Sequence, residues 1–269
     1  MKYKLIASDV DGTLINDNSE LSERTKRAII NTIKSGVLFV TSTGRPFSAV
    51  NIINDLFTED MPFIVFNGAA AYMGKSEKLL FEYYLDFDVA KEVYEIGQKQ
   101  NAAQIVWTGP KLWTNRLCER TEAYAARGSN EITVIDDFDT LRTKQKGVSK
   151  VLWAEDPADV KRLSVKMSAH FGDRLKCVSS MAHFLEFISP DAGKGAALER
   201  VGKLYGIDSG EMIAVGDSYN DVSMLEYAGL SVAVANAPED IKALCDYVTL
   251  TNNDDGVADV IEKFILGKC

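Results

Sequence analysis

Short apolar runs that stop abruptly at acidic or glycine-containing turns constrain the fold of this chain more than any other feature. Leu5 to Ala7 is the first of them. It is the kind of run that fills a strand buried on both faces, and it halts at Asp9 and Asp11 before Gly12 turns the backbone. Ser22 is placed to cap a helix running to about Ser35, with Ala28, Ile29, Thr32 and Ile33 on its inner face and Gly36 as a left-handed stop. Val37 to Thr41 reads as a second buried strand entering Ser42-Thr43-Gly44-Arg45-Pro46, and Phe63 to Phe66 as a third ending at Asn67-Gly68. Strands and helices alternating in this way predict a parallel doubly wound sheet.

The rhythm changes near Tyr83. A helix is expected around Asp88 to Gln100, and another from Pro157 with Asp156 at the cap. Strand-like runs lie at Gln104 to Trp107, Val148 to Trp153, Leu175 to Ser179 and Phe184 to Ile188. Two helices among several short strands predict an α+β insert with an antiparallel sheet. The core rhythm resumes with a helix at Lys194 to Tyr205 and an apolar strand at Met212 to Val215 that breaks into Gly216-Asp217-Ser218-Tyr219-Asn220-Asp221. Strands at Ser231 to Val234 and Tyr247 to Leu250 and a last helix near Val257 to Leu266 complete it. The expected fold is therefore an α/β, Rossmann-like core formed by residues 1–83 and 188–269, with an inserted α+β domain at 84–187.

At 269 residues the chain has room for two such domains, and its net charge of −9 argues against a nucleic-acid partner, because binding a phosphate backbone needs a basic surface. No segment approaches the ~18 apolar residues of a membrane span, and the opening apolar run meets Asp9 too soon for a signal peptide. Cys118, Cys177, Cys245 and Cys269 lack C-x-x-C spacing, so reduced thiols in a soluble cytoplasmic protein are the expectation.

Four polar stretches sit where elements begin or end: Asp9/Asp11, Thr43-Gly44, Lys194 and Asp217/Asp221. In an open α/β sheet such ends meet in a crevice at the topological switch point. If they converge, four carboxylates crowd one site, and each pair about 5 Å apart repels by roughly 3 kcal/mol at an effective dielectric near 20. Either some are protonated or a cation sits among them. With all candidate ligands oxygens and neither histidine nearby, the chemistry selects a hard cation such as Mg²⁺. The plainer readings remain alongside: Asp217 and Asp221 as helix caps, Thr43-Gly44 as an ordinary turn, and Lys194 as a solvated lysine. A nucleotide-binding P-loop around Lys194 fails, because Ile188 and Gly195 stand where it needs Gly and Ser or Thr. His183 and the three tryptophans, Trp107, Trp113 and Trp153, read as packing residues of the insert.

Taken together, Asp9-Val-Asp11-Gly-Thr-Leu, Thr43-Gly-Arg45-Pro, Asn67-Gly-Ala, Lys194-Gly, Gly-Asp217-x-x-Asn220-Asp221 and the closing Asp255-Gly-Val-Ala resemble the haloacid dehalogenase superfamily, and within it the Cof-type sugar-phosphate phosphatases. The resemblance covers nearly the whole chain. It implies a Mg²⁺-dependent phosphatase of a small phosphorylated metabolite, with the insert as a cap over the active site. Asp9 would be the nucleophile that forms an aspartyl-phosphate, and Asp11 the acid and base. Val10, Thr43, Gly44, Lys194 and Asn220 would bind phosphate, and Asp9, Asp11, Asp217 and Asp221 the metal. Arg45, Trp113, Asn115 and Glu186 are the candidates for facing substrate. A phosphomutase using the same intermediate is the alternative, followed by a phosphometabolite-binding module without turnover. Ser8, where an apolar residue is common in the family, and the Ser218-Tyr219 pair are small departures.

Overall fold

The structure, a computed structural model, describes residues 2–50, 53, 59–126, 128, 130–144 and 146–267. It divides into two compact units. The first comprises Met1–Thr43, Ile52–Leu80 and Gly193–Cys269, and the second Gly44–Asn51 and Phe81–Ala192.

The first unit is built on an eight-stranded sheet. Its strands are β1 (Leu5–Ser8), β2 (Leu38–Ser42), β3 (Pro62–Val65), β4 (Ala70–Met73), β5 (Leu79–Glu82), β12 (Met212–Gly216), β13 (Leu230–Ala233) and β14 (Tyr247–Val248), in the order β14-β13-β12-β1-β2-β3-β4-β5. From β14 to β3 the pairing is parallel, as the alternating pattern predicts, and β3–β4 is antiparallel. Sequence reading missed the β4 and β5 edge, whose mixed apolar and polar residues carry no buried-strand signal.

The expected helix after the first loop runs Glu23–Lys34, with Ser22 Oγ accepting the Thr25 N–H at 3.0 Å, and Thr25, Ala28, Ile29 and Thr32 buried. Strands β1, β12 and β2 are wholly buried apart from Leu38, which is why they read as unbroken apolar runs. Register then fixes where the polar residues beyond them emerge. Ser8 pairs with Val215 on one side and Thr41 on the other, so the residues just past these strands come out side by side at one edge of the sheet.

The second unit holds a six-stranded sheet. In the order β10 (Lys176–Val178), β11 (Phe184–Ile188), β9 (Lys150–Ala154), β6 (Ala103–Thr108), β7 (Lys111–Thr114) and β8 (Ile132–Val134), it is antiparallel except between β7 and β8. Helices Phe87–Lys99 and Pro157–Phe171 pack on one face around Val93, Tyr94, Val106, Trp153, Leu163 and Phe187. Asp156 stands at the cap position of the second helix, but makes no capping bond; its carboxylate instead takes the Arg120 guanidinium at 2.8 Å. Residues 44–50 group with this unit: Lys150 Nζ donates to the Gly44 carbonyl at 3.2 Å and Ser48 Oγ to Asn130 Oδ1 at 2.9 Å.

Among the described residues no helix is long and apolar enough to cross a membrane. Cys118, Cys177 and Cys245 are free thiols, while Cys269 lies outside the described residues.

Candidate active site

Asp9 follows β1 directly. Its N–H donates to the Val215 carbonyl at 2.9 Å, continuing the sheet by one residue and leaving the side chain at the strand end. Residues Val10–Leu14 form a tight turn closed by the Ile15 N–H on the Val10 carbonyl, with Gly12 at φ +74°. A Cβ on Gly12 would lie 2.8 Å from Asp217 Oδ2, so only glycine lets the turn close against that carboxylate. Thr13 Oγ1 donates to Asp217 Oδ1 at 2.8 Å, and Asn236 Nδ2 to the Gly12 carbonyl at 2.8 Å. Asp11 is only partly buried, whereas Asp9 is 5% exposed.

Lys194 begins the helix Lys194–Tyr205 and is 1% exposed. Its ammonium donates to Asp9 Oδ1 at 2.7 Å and to Asp221 Oδ1 at 2.5 Å. The solvated-lysine reading is thus excluded. Asp221 spends its other oxygen on the backbone N–H groups of Asp217 and Ser218, both at 3.0 Å. It completes a capping box with Ser218 on the short turn Tyr219–Asp221 but makes no side-chain bond capping the following helix Val222–Tyr227, the role that sequence reading allowed for one of the pair, while Asp217 keeps its carboxylate toward the turn after β1.

Carboxylate oxygens of Asp9, Asp217 and Asp221 all lie within 4.8 Å of one another. Burial first, then the Asp221 charge, pushes the Asp9 carboxyl well above its ordinary value, and Lys194 offsets only part of this. Asp217 is pushed up to about 6, by burial and then Asp221, against the Thr13 hydrogen bond. Burial disfavours the Lys194 ammonium, but Asp221 and Asp9 together overturn that and hold it charged. Three carboxylates facing one ammonium carry two surplus negative charges when ionised, the charge of one divalent cation. The donors are all oxygens, so the residues present fit Mg²⁺.

Thr43, 1% exposed, follows β2 directly, and its carbonyl accepts the Asn67 N–H at 3.0 Å. Asn220 Nδ2 donates to Asn67 Oδ1 at 3.0 Å. The remaining expected residues belong to the second unit. Gly44 accepts from Lys150, and Arg45 Nη1 donates to the Ala49 carbonyl at 3.2 Å. Trp113 packs partly buried on the unit's core, its Nε1 donating to Thr108 Oγ1 at 2.8 Å. Asn115 commits both ends of its amide to backbone, accepting from Gln104 N–H and donating to the Ala102 carbonyl, each at 2.9 Å. Glu186 is 1% exposed and sits 3.2 Å from the equally buried Lys150, with Ser180 Oγ donating to it at 2.7 Å.

Thr13, Asn67 and Asn236 were given no role by sequence reading. The one available signal was at Asn67, which ends an apolar strand as Asp9 and Thr43 do.

A family model of haloacid dehalogenase-like hydrolases matches residues 6–261. Phosphatase YwpJ of Bacillus subtilis is 32% identical over 286 residues, spanning 97% of this chain and 100% of that one. The 5-amino-6-(5-phospho-D-ribitylamino)uracil phosphatase YwtE of the same organism is 28% identical over 291 residues, with 98% and 99% covered. Among solved structures, a haloacid dehalogenase-like hydrolase from Bacteroides thetaiotaomicron matches with a TM-score of 0.84 at 28% identity, over 98% of this chain and 100% of that one.

Proposed function

This chain belongs to the haloacid dehalogenase-like hydrolases, and from that premise we propose that it is a Mg²⁺-dependent phosphatase of a small phosphorylated metabolite, a sugar phosphate or similar, acting through an aspartyl-phosphate on Asp9. The observation that carries the reading is the cluster of Asp9, Asp217 and Asp221, with the buried ammonium of Lys194 on Asp9 and Asp221. A cluster so rich in negative charge is costly to fold, and it is suited to drawing a cation and a phosphoryl group together.

In this reading an Asp9 carboxylate oxygen attacks phosphorus and the bond to the ester oxygen breaks. Asp11 gives its proton to that leaving oxygen. A water then attacks the aspartyl-phosphate, losing its proton to Asp11, and Asp9 is freed as inorganic phosphate departs. Asp11 suits a proton carrier, because giving its proton to the leaving oxygen leaves it ionised, ready to take the proton of the attacking water. Lys194 neutralises charge on the phosphoryl oxygens, joined by Thr43, Asn220 and the backbone N–H groups of Val10 and Gly44. Asp9, Asp217 and the Asp11 carbonyl would hold Mg²⁺, with Asp221 bracing them from behind through Lys194 and the Asp217 N–H. The bound ion supplies Lewis-acid stabilisation of the phosphoryl oxygens and balances the surplus carboxylates. Residues 84–187 form the cap domain that selects the substrate.

The test is a released-phosphate assay over a panel of phosphorylated metabolites with Mg²⁺, comparing the wild type with Asp9→Asn. The wild type releases phosphate and the variant, folded, does not. Comparable rates from both would end the mechanism, and chasing labelled phosphate into sugar acceptors instead of water would point to a mutase.

A further inference from the structure

Three consecutive residues after β3 are held at positive φ: Phe66 at +53°, Asn67 at +55° and Gly68 at +90°. Only the last is glycine. Asparagine tolerates this conformation through its short polar side chain, but for a bulky phenylalanine it is a strained backbone. Such strain persists only where surrounding contacts over-determine it, and it concentrates at functional positions.

The contacts made by this turn fall on three groups of the proposed phosphate site. The Asn67 N–H holds the Thr43 carbonyl at 3.0 Å. Gly68 lies against the start of the Lys194 helix so closely that a Cβ would stand 2.2 Å from the Gly193 carbonyl oxygen and 2.7 Å from the Lys194 nitrogen. Asn67 Oδ1 accepts one N–H of the Asn220 amide at 3.0 Å. The Asn220 Oδ1, buried, has no hydrogen-bond partner among the described residues. Its bond to Asn67 therefore sets which way the Asn220 amide faces, and it leaves the second N–H of Nδ2 available.

We infer that Asn67 is a positioning residue for the substrate's phosphate. Its strained turn brings Thr43, Lys194 and Asn220 into register, and its side chain orients Asn220 so that the remaining amide N–H meets a phosphate oxygen. This rests on the proposed phosphate site and adds to it a residue that contacts no substrate atom.

Asn67→Gly separates the two parts of the role, since glycine keeps the left-handed turn and deletes the acceptor. Calorimetry with inorganic phosphate in the presence of Mg²⁺ should show binding weakened about tenfold, as expected for one hydrogen bond to a charged ligand. KM for the best phosphomonoester should rise by a similar factor while kcat changes less than about threefold, the pattern of lost uniform binding. Asn220→Ala should weaken phosphate binding comparably, and the double variant should be no worse than Asn220→Ala alone. Phosphate binding unchanged in Asn67→Gly, with or without a lower melting temperature, overturns the inference, and so do losses that multiply in the double variant. Binding is read without turnover. A protein that binds phosphate in this Asn67-dependent way but hydrolyses no ester would overturn the proposed function and leave the role of Asn67 standing; a wild type that binds no phosphate overturns both.

Discussion

The ammonium of Lys194 lies 2.7 Å from the carboxylate of Asp9, a residue 185 positions away in the chain, and it is shared with Asp221. Both ends of this contact are buried. Removing one partner from such a cluster leaves uncompensated charge, at a cost of about 3 kcal/mol or more. Lys194→Met should therefore lower stability by roughly that amount in denaturant unfolding, and it should cut phosphate release more than about 100-fold. A variant with wild-type stability would mean that the carboxylates already hold protons at neutral pH.

Mg²⁺ should stabilise the protein through Asp217. At a hundred times the dissociation constant, binding to the folded state alone adds about 2.7 kcal/mol. Thermal unfolding with and without Mg²⁺ should show this increment in the wild type and lose most of it in Asp217→Asn. An equal increment in both would place the ion elsewhere.

Gly68 and Gly36 make a matched pair. Both have positive φ, +90° and +84°, but a Cβ on Gly36 meets nothing within 4 Å while one on Gly68 collides with Gly193. Gly36→Ala should cost about 1–2 kcal/mol of backbone strain. Gly68→Ala should cost more and also depress phosphate release, because the start of the Lys194 helix must move. Equal losses in unfolding and in activity would count against the close approach.

The second unit holds a buried ion pair of its own, Lys150–Glu186. Lys150→Met should destabilise by about 3 kcal/mol by stranding Glu186, and Lys150→Met/Glu186→Leu should recover much of that. Urea unfolding of the single and double variants decides it; a double variant worse than the single would refute the pairing.

One pH effect arises from Glu92, whose carboxyl is held below its ordinary value of 4.5, chiefly by the Arg174 hydrogen bond and then by His170. With the folded-state pKa depressed, the unfolded chain takes up the proton first. The contribution is present above the ordinary value and is lost as pH falls toward the depressed one. The pair is partly exposed, so its share is below about 1 kcal/mol. Melting temperature followed from about pH 6 down to about pH 3 should fall less steeply in Glu92→Gln than in the wild type. Parallel curves would mean that the pair is not formed in solution.

The local pattern carried much of this architecture. Buried parallel strands must be apolar on both faces, so β1, β2, β3 and β12 announce themselves, and Ser22, Gly36 and Gly206 mark helix ends through backbone rules that act within a few residues. The β4–β5 edge and the helix Glu119–Ala126 escaped notice because each mixes apolar and polar residues and only part of each is buried. The partners of Asn115 and Glu186 were equally out of reach of local pattern: the backbone of Gln104 and Ala102 for the first, and Lys150 for the second.

Read along the chain, Asp9-Val10-Asp11-Gly12 announces a strand that delivers acids to a sharp turn, an all-oxygen set of the kind that suits a hard cation. Local sequence determines that much because strand burial, turn formation and ligand chemistry depend on neighbours and residue type. The tertiary structure alone decided which groups share the cluster and which contacts each of them makes. The parallel register of β1, β2 and β12 brings Asp9 to Asp217, and the helix at Lys194 brings one ammonium between Asp9 and Asp221. Electrostatic energy depends on distance through space and on burial, and neither is written in the spacing of residues along a chain.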